Sequence, residues 1–348
     1  MPILETTLTA GYAVPGWYGL ALGANQAKAF GPADLAELRR DALTVAVRDQ
    51  ELAGLDHVMG CDMGRAEGSF GILHWIGGLT ARPQARLLGA AALDQLERFE
   101  PTGEIVAPDG LGAVDDFRHL AGITASPVKV ALPGPFHLSE YILPGGRYRT
   151  RMLVAEHLSY MLRQEMLRLV EAGCSAIEVN ESAIAWNPHQ AVDAIKLLNE
   201  TIHGIRASVS VQLGFGNFGG RSNSRRTYGP LFPALLEIAA ETLCLEFAGR
   251  EMAEADLWLE HDCDKRLAAG VIDPRNTSVE TPEEVAARIR VLLRYVSEDK
   301  LVLTTDCDFG HTARHIAAQK LTSLVAGARI VRQEITDLAE APDTAVES

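Results

Sequence analysis

This sequence predicts an α/β chain closing as a (β/α)8 TIM barrel, on three observations. Eight short apolar runs rich in β-branched residues are spaced along the 348 residues. Longer stretches of helical period lie between them, the alternation expected of a parallel sheet wrapped in helices. Polar residues close nearly every run, and the C-terminal ends of the strands are where such barrels carry their chemistry.

The runs are LETTLTA (4–10), DHVMGCD (56–62), VKVALPG (128–134), AIEVNES (176–182), SVSVQLGF (208–215), TLCLEF (242–247), AAGVID (268–273) and LVLTTDC (301–307). Residues 32–54, 151–173 and 282–296 have the spacing of amphipathic helices before the second, fourth and eighth runs. Thr281, Pro282 and Glu284 form a capping box with proline at the first helical position, and Gly173 is a helix stop. The chain exceeds the usual barrel by about a hundred residues. The surplus is expected as insertions at 11–32 and 63–126, with a hairpin in GSFGILHWIGGLTARPQ. Residues 1–337 then form a single barrel domain, and 338–348 a disordered tail.

Nearly half the residues are hydrophobic, and the net charge is −14. An acidic chain with no basic run repels phosphates, so nucleic acid is not the expected partner. No apolar window approaches the length of about 18 residues that spans a bilayer, and residues 1–16 lack the pattern of a signal peptide. Cys61, Cys174, Cys244, Cys263 and Cys307 are odd in number and form no CxxC pair, which suits reduced thiols. Together these features predict a cytoplasmic protein acting on a small molecule.

At the strand ends stand Asp62, Asn180, Glu181, Gln212, Glu246, Asp273, Asp306, Cys307 and Asp308. Carboxylates, amides and a thiol gathered at one mouth repel and desolvate one another, an arrangement that favours a ligand over bare stability. Asn217 and Arg275 fall in loops that reach the same mouth. The structural alternatives are buried packing for Cys307 and backbone bonding for Gln212 and Asn217. His74 and His137 read as structural groups, and the Arg-rich loop 221–230 as a solvated one. His261-x-Cys263 precedes the seventh run and falls on the wrong side of the barrel.

Several ordered motifs carry a resemblance: PVKVALPGPF (127–136), VEAGCSAIEVNESAI (170–184), GFGNFGGR (214–221), LCLEFAGREM (243–252), GVIDPRNTSVETPEEVAARIR (270–290) and TTDCDFG (304–310). With these the chain resembles the catalytic barrel of cobalamin-independent methionine synthase in its short, single-barrel form. TTLTAGYAVPGWY and LDHVMGCDMGR extend the likeness weakly through the first third.

The resemblance implies a methyltransferase in which zinc presents the homocysteine thiolate to the methyl group of a folate. It implies zinc ligands at Glu246 and Cys307, and places the remaining His-x-Cys pair on Gln212 and Gly214, which cannot replace it. Asn180-Glu181 stands where the family has Asp-Glu, and Cys61-Asp62 where it has Gly-Glu, so the ammonium of homocysteine loses counter-charge.

The sequence therefore predicts transfer of a methyl, one-carbon or alkyl group to an acceptor other than homocysteine. Asp62, Glu246, Cys307 and Asp308 are the candidate catalytic residues. Asn180, Glu181, Gln212, Asn217, Asp273 and Arg275 are the candidate substrate-binding ones. Folate is the implied methyl donor, and zinc an incomplete fit. Two alternatives remain: a metal-independent lyase or decarboxylase using Asp62, Arg275 and Asp308, and a ligand-binding pseudoenzyme.

Overall fold

The structure is a computed structural model and describes residues 3–25, 30–60, 68–82, 98–217 and 220–340. In chain order it begins with β1 (Glu5–Thr6), α1 (Gly16–Asn25), α2 (Pro32–Ala53), β2 (Val58–Gly60), β3 (Gly77–Arg82), β4 (Arg98–Val106) and α3 (Ala113–Ile123). It continues with β5 (Val128–Pro133), α4 (Pro135–Ser139), α5 (Arg151–Glu171), β6 (Ala176–Asn180), α6 (Ala183–Trp186), α7 (Ala191–Ile202) and β7 (Ser208–Gln212). The last elements are β8 (Thr242–Glu246), α8 (Leu257–Glu260), β9 (Arg266–Ile272), α9 (Pro282–Leu292), β10 (Leu301–Thr305) and α10 (Arg314–Glu340).

Each of the eight apolar runs overlaps a strand of one parallel sheet, ordered β1-β10-β9-β8-β7-β6-β5-β2, with β9 starting two residues before its run. The backbone N–H groups of Asp56 and His57, just before β2, both donate to the carbonyl of Thr6 on β1 at 3.1 Å. Asp56 Oδ2 in turn accepts from the Thr6 amide and hydroxyl, each at 2.8 Å. Arg332 of α10 binds the same carboxylate oxygen and the carbonyls of Ile3 and Leu4. This stitching joins the two end strands and curls the sheet as predicted.

The period-2 pattern sorts each strand into two faces. On β8, Leu243 and Leu245 belong to the main apolar core under the helices. Cys244 points the other way and packs with Ala268 and Val302, its register partners across β9 and β10. Glu246 shares the parity of Cys244, so it faces the barrel interior. Deeper in that interior, Lys129 pairs with Glu178 at 2.7 Å, and Glu178 also accepts from Thr9 Oγ1 and the Ala10 amide.

The helix ends follow their sequence signals. Thr281 and Glu284 cap each other at the start of α9, and Gly173 takes φ 98° after α5, a conformation that costs a residue without Cβ least. The hairpin expected within 68–84 is not formed there: Gly68–Trp75 is a 3-10 helix, and β3 pairs antiparallel with the more distant β4. The pair is tied to the segment after α4: the Phe99 amide donates to Tyr141 O at 2.8 Å, and the Ile105 amide to Tyr148 Oη at 3.0 Å. Residues 63–67 and 83–97 of the 63–126 insertion lie outside the described residues. The C-terminal boundary differs from the expected 337, because α10 runs on to Glu340; residues 341–348 lie outside the described residues. Among the described residues, no helix is long and apolar enough to cross a membrane.

Candidate active site

Position 214, just beyond β7, is the point on which the site converges. A Cβ there would sit 2.9 Å from Glu246 Oε1, 3.2 Å from Ser182 Oγ and 3.3 Å from Gln212 Nε2. Only glycine lets these three groups, from the ends of β6, β7 and β8, come together. The Gly214 amide donates to Ser182 Oγ at 2.8 Å, and its carbonyl accepts from the Trp186 indole at 3.0 Å.

Glu246 is 1% exposed and uses only one of its carboxylate oxygens. Oε1 accepts from the Phe215 amide and from Arg275 Nη2, both at 2.7 Å. Oε2 is buried without a hydrogen-bond partner among the described residues, as are Gln212 Oε1 and Arg275 Nη1. Arg275 is held from a second side by the Gly216 carbonyl, with Nη2 at 2.7 Å and Nε at 3.2 Å. Its Nη1 lies 3.7 Å from Asp273 and 3.9 Å from Asp306. Burial opposes the Arg275 charge, but Cys307 and Glu246 beside it outweigh that and raise the guanidinium above its ordinary value. The same burial pushes Glu246 up, with Arg275 pulling against it.

Cys307 is 3% exposed, and burial pushes its thiol well above the ordinary range despite the nearby guanidinium. Asp306 serves the backbone: it accepts from the amides of Phe247 (2.8 Å), Ala248 (3.0 Å) and Gly249 (2.7 Å) and so holds the turn after β8. Burial, reinforced by Glu246, pushes its carboxyl up to about 7.

The predicted site residues separate into two groups. Gln212, Glu246, Asp273 and Arg275 meet in one network at the C-terminal ends of β7 to β9, and Cys307 is buried just past the end of β10. Asn180, Glu181, Asn217 and Asp308 are engaged with backbone or close neighbours. Asn180 Oδ1 accepts from the amide and hydroxyl of Ser182. Glu181, expected to bind substrate, is fully buried and accepts from the amides of Phe136 (2.9 Å) and His137 (2.6 Å), starting α4. Asn217 donates to the Asp308 carbonyl and accepts from the Gly220 amide. Asp308, expected to be catalytic, accepts from the Gly310 amide at 2.7 Å, which closes its own turn and weakens the lyase reading. Asp62 and Cys61 lie outside the described residues.

Two participants escape the sequence. Ser182 lies two residues past Asn180, the spacing of an Asx turn, and that turn aims its hydroxyl at Gly214. Arg226 belongs to the loop expected to be solvated. Arg221 and Arg225 are exposed as expected, but Arg226 Nη2 donates to the Gly249 carbonyl at 2.6 Å, and its buried Nε has no hydrogen-bond partner among the described residues.

Among the described residues, the side chains at the mouth do not fit the zinc ion that the resemblance implies. Of four donors, Glu246 and Cys307 remain, and the guanidinium of Arg275 is bonded directly to Glu246. Among the described residues, no group of three or more His, Cys, Asp or Glu side chains is arranged to hold a metal. His261 and Cys263 lie ahead of β9, with the His261 ring stacked on Phe232.

The family model described as the catalytic domain of cobalamin-independent synthase matches residues 22–330. The chain belongs to that family. A methionine synthase of Thermococcus kodakarensis is 28% identical over 342 residues, covering 96% of this chain and 95% of the relative. One of Sulfurisphaera tokodaii is also 28% identical, over 96% of this chain and 94% of its own. The B12-independent methionine synthase of Shewanella sp. W3-18-1, solved with selenomethionine, superposes with a TM-score of 0.83. It shares 24% identity and covers 96% of this chain and 99% of its own, and at that identity it shows the fold. These findings bear out the predicted family, its methyltransferase class and the barrel.

Proposed function

We propose that this cobalamin-independent synthase relative transfers a methyl, one-carbon or alkyl group to a small-molecule acceptor other than homocysteine. The observation that carries the reading is the cradle at Gly214: Gln212 and Gly214 stand where the resemblance implies the His-x-Cys pair, and Glu246 is bonded to the guanidinium of Arg275. The Asn180 amide oxygen, already bound twice by Ser182, is a poor substitute for a carboxylate facing an ammonium.

In the proposed step, the acceptor's nucleophilic atom bonds to the transferred carbon. The bond from that carbon to the donor breaks, and its electron pair leaves with the donor. The acceptor's proton passes to Oε2 of Glu246, the carboxylate oxygen left free by Arg275. Gln212 Oε1, also free, accepts a hydrogen bond from the acceptor and orients it.

The test is product analysis by mass spectrometry with methyltetrahydrofolate as donor and a panel of small thiols, thiocarboxylates and amines beside homocysteine. Methylation of a panel member with little methionine is the expected result. Methionine formed at about 1 per second or faster, the ordinary range of enzyme turnover, would overturn the reading.

A further inference from the structure

We propose that the guanidinium of Arg275 is the resident cation of this site and keeps metal ions out of it. The inference rests on reading the Gly214 cradle as the transfer centre, and three observations carry it.

The first is position. Nη2 of Arg275 lies 2.7 Å from Glu246 Oε1, and Nη1 lies 3.9 Å from the carboxylate of Asp306, the residue that precedes Cys307. Arg275 thus binds one surviving member of the expected ligand set and reaches the strand end that carries the other.

The second is fixation. Two bonds to the Gly216 carbonyl and one to Glu246 hold the planar group on two sides, and its side chain is 5% exposed. A buried fixed charge of this kind cannot swing away to admit a divalent ion without losing all three bonds.

The third is an open valence. Nη1 carries no hydrogen bond among the described residues, and its nearest carboxylates stand at 3.7 and 3.9 Å. A cation with an unused donor beside the unpartnered Gln212 Oε1 and Glu246 Oε2 is suited to a ligand bearing both an anionic group and a hydrogen-bond donor.

The experiment reads zinc affinity in the full chain, by competition with a chromogenic chelator and without substrate or donor. Its outcome is therefore separate from that of the acceptor panel. The forms compared are the natural chain, Arg275→Met, Arg275→Lys and Arg275→Met/Cys307→Ser. Removing a like charge from beside the ligands should raise zinc affinity about a hundredfold in Arg275→Met. Arg275→Lys, which keeps the charge, should stay with the natural chain, and the Cys307→Ser addition should abolish the gain. Arg275→Gln is a second neutral form that retains a donor for Gly216, in case Arg275→Met does not fold. One tightly held zinc in the natural chain, no gain in either neutral form, or a gain that survives loss of Cys307 would each overturn the proposal.

Discussion

The ammonium of Lys320, wholly buried on α10, lies 2.7 Å from Glu280 Oε2 and donates to the carbonyls of Asp273 and Ser278. Glu280 Oε1 accepts from the Asp273 amide at 2.9 Å. Arg288 Nη1 reaches the same Oε1 at 3.3 Å, so the loop that presents Asp273 and Arg275 to the mouth is pinned from behind by a carboxylate held between two cations.

Lys320→Met should destabilise the fold by about 2–3 kcal/mol, because the carbonyls of Asp273 and Ser278 and Glu280 Oε2 lose their buried donor while Arg288 still meets Oε1. The double variant Lys320→Met/Glu280→Leu should recover part of that loss by removing the carboxylate that has lost its nearer cation. Denaturant titration of both variants checks this; a single-variant loss under about 1 kcal/mol would show that the pair holds nothing.

Two glycines should behave differently when replaced by alanine. At Gly270 the new Cβ would lie 2.7 Å from the Asp306 Cα and 2.8 Å from its backbone nitrogen, so a neighbouring strand would have to move. A loss of about 3 kcal/mol or failure to fold is expected, the upper range of overpacking. At Gly214 the Cβ meets only the side-chain ends of Glu246, Ser182 and Gln212, which can shift. Gly214→Ala should keep its melting temperature within a few degrees, equivalent to about 1 kcal/mol, while disturbing the cradle. Thermal melts of the two variants decide whether the contrast holds.

The pH dependence has a definite sign. Burial pushes Glu181 up to about 8, against the hydrogen bonds it accepts from Phe136 and His137. A carboxyl whose folded value is raised contributes stability that is fully present below its unfolded value, near 4.5, and is lost as pH rises toward 8. His137 acts oppositely but lower: burial depresses it to about 3, so its contribution is lost only as pH falls below its ordinary 6.5. Between pH 6.5 and 8 the unfolding free energy should therefore fall, by at most about 1.4 kcal/mol per unit for each such proton. Glu181→Gln should flatten that slope whatever its overall cost. An unchanged slope in the variant, measured by urea titration at several pH values, would refute the assignment.

The barrel was legible because its signals are local. TLCLE has the short apolar pattern of a strand, and in the structure its steps of two put Leu243 and Leu245 under the helices and Cys244 on the other face. The positions of Gln212, Glu246, Asp273, Arg275 and Cys307 followed from the rule that strand ends carry the chemistry. What could not be read was pairing. Arg275 meets Glu246 across 29 residues, and Arg226 meets Gly249 across 23, distances at which no periodicity operates. Nor could the backbone bonds of Glu181 and Asp308 be read, because a carboxylate that organises backbone amides leaves the same mark in a sequence as one that awaits a substrate.

The Arg332 side chain gives the barrel an order of assembly. The first strand is two residues long, and the carbonyls of Ile3 and Leu4 beside it are bound by a guanidinium more than three hundred residues later. Asp56, which bridges β1 to the start of β2, depends on the same group. As the chain leaves the ribosome, the strands from β2 to β10 can pair with their neighbours as they emerge. The first strand must wait for α10, so the ring locks only after that helix has been made.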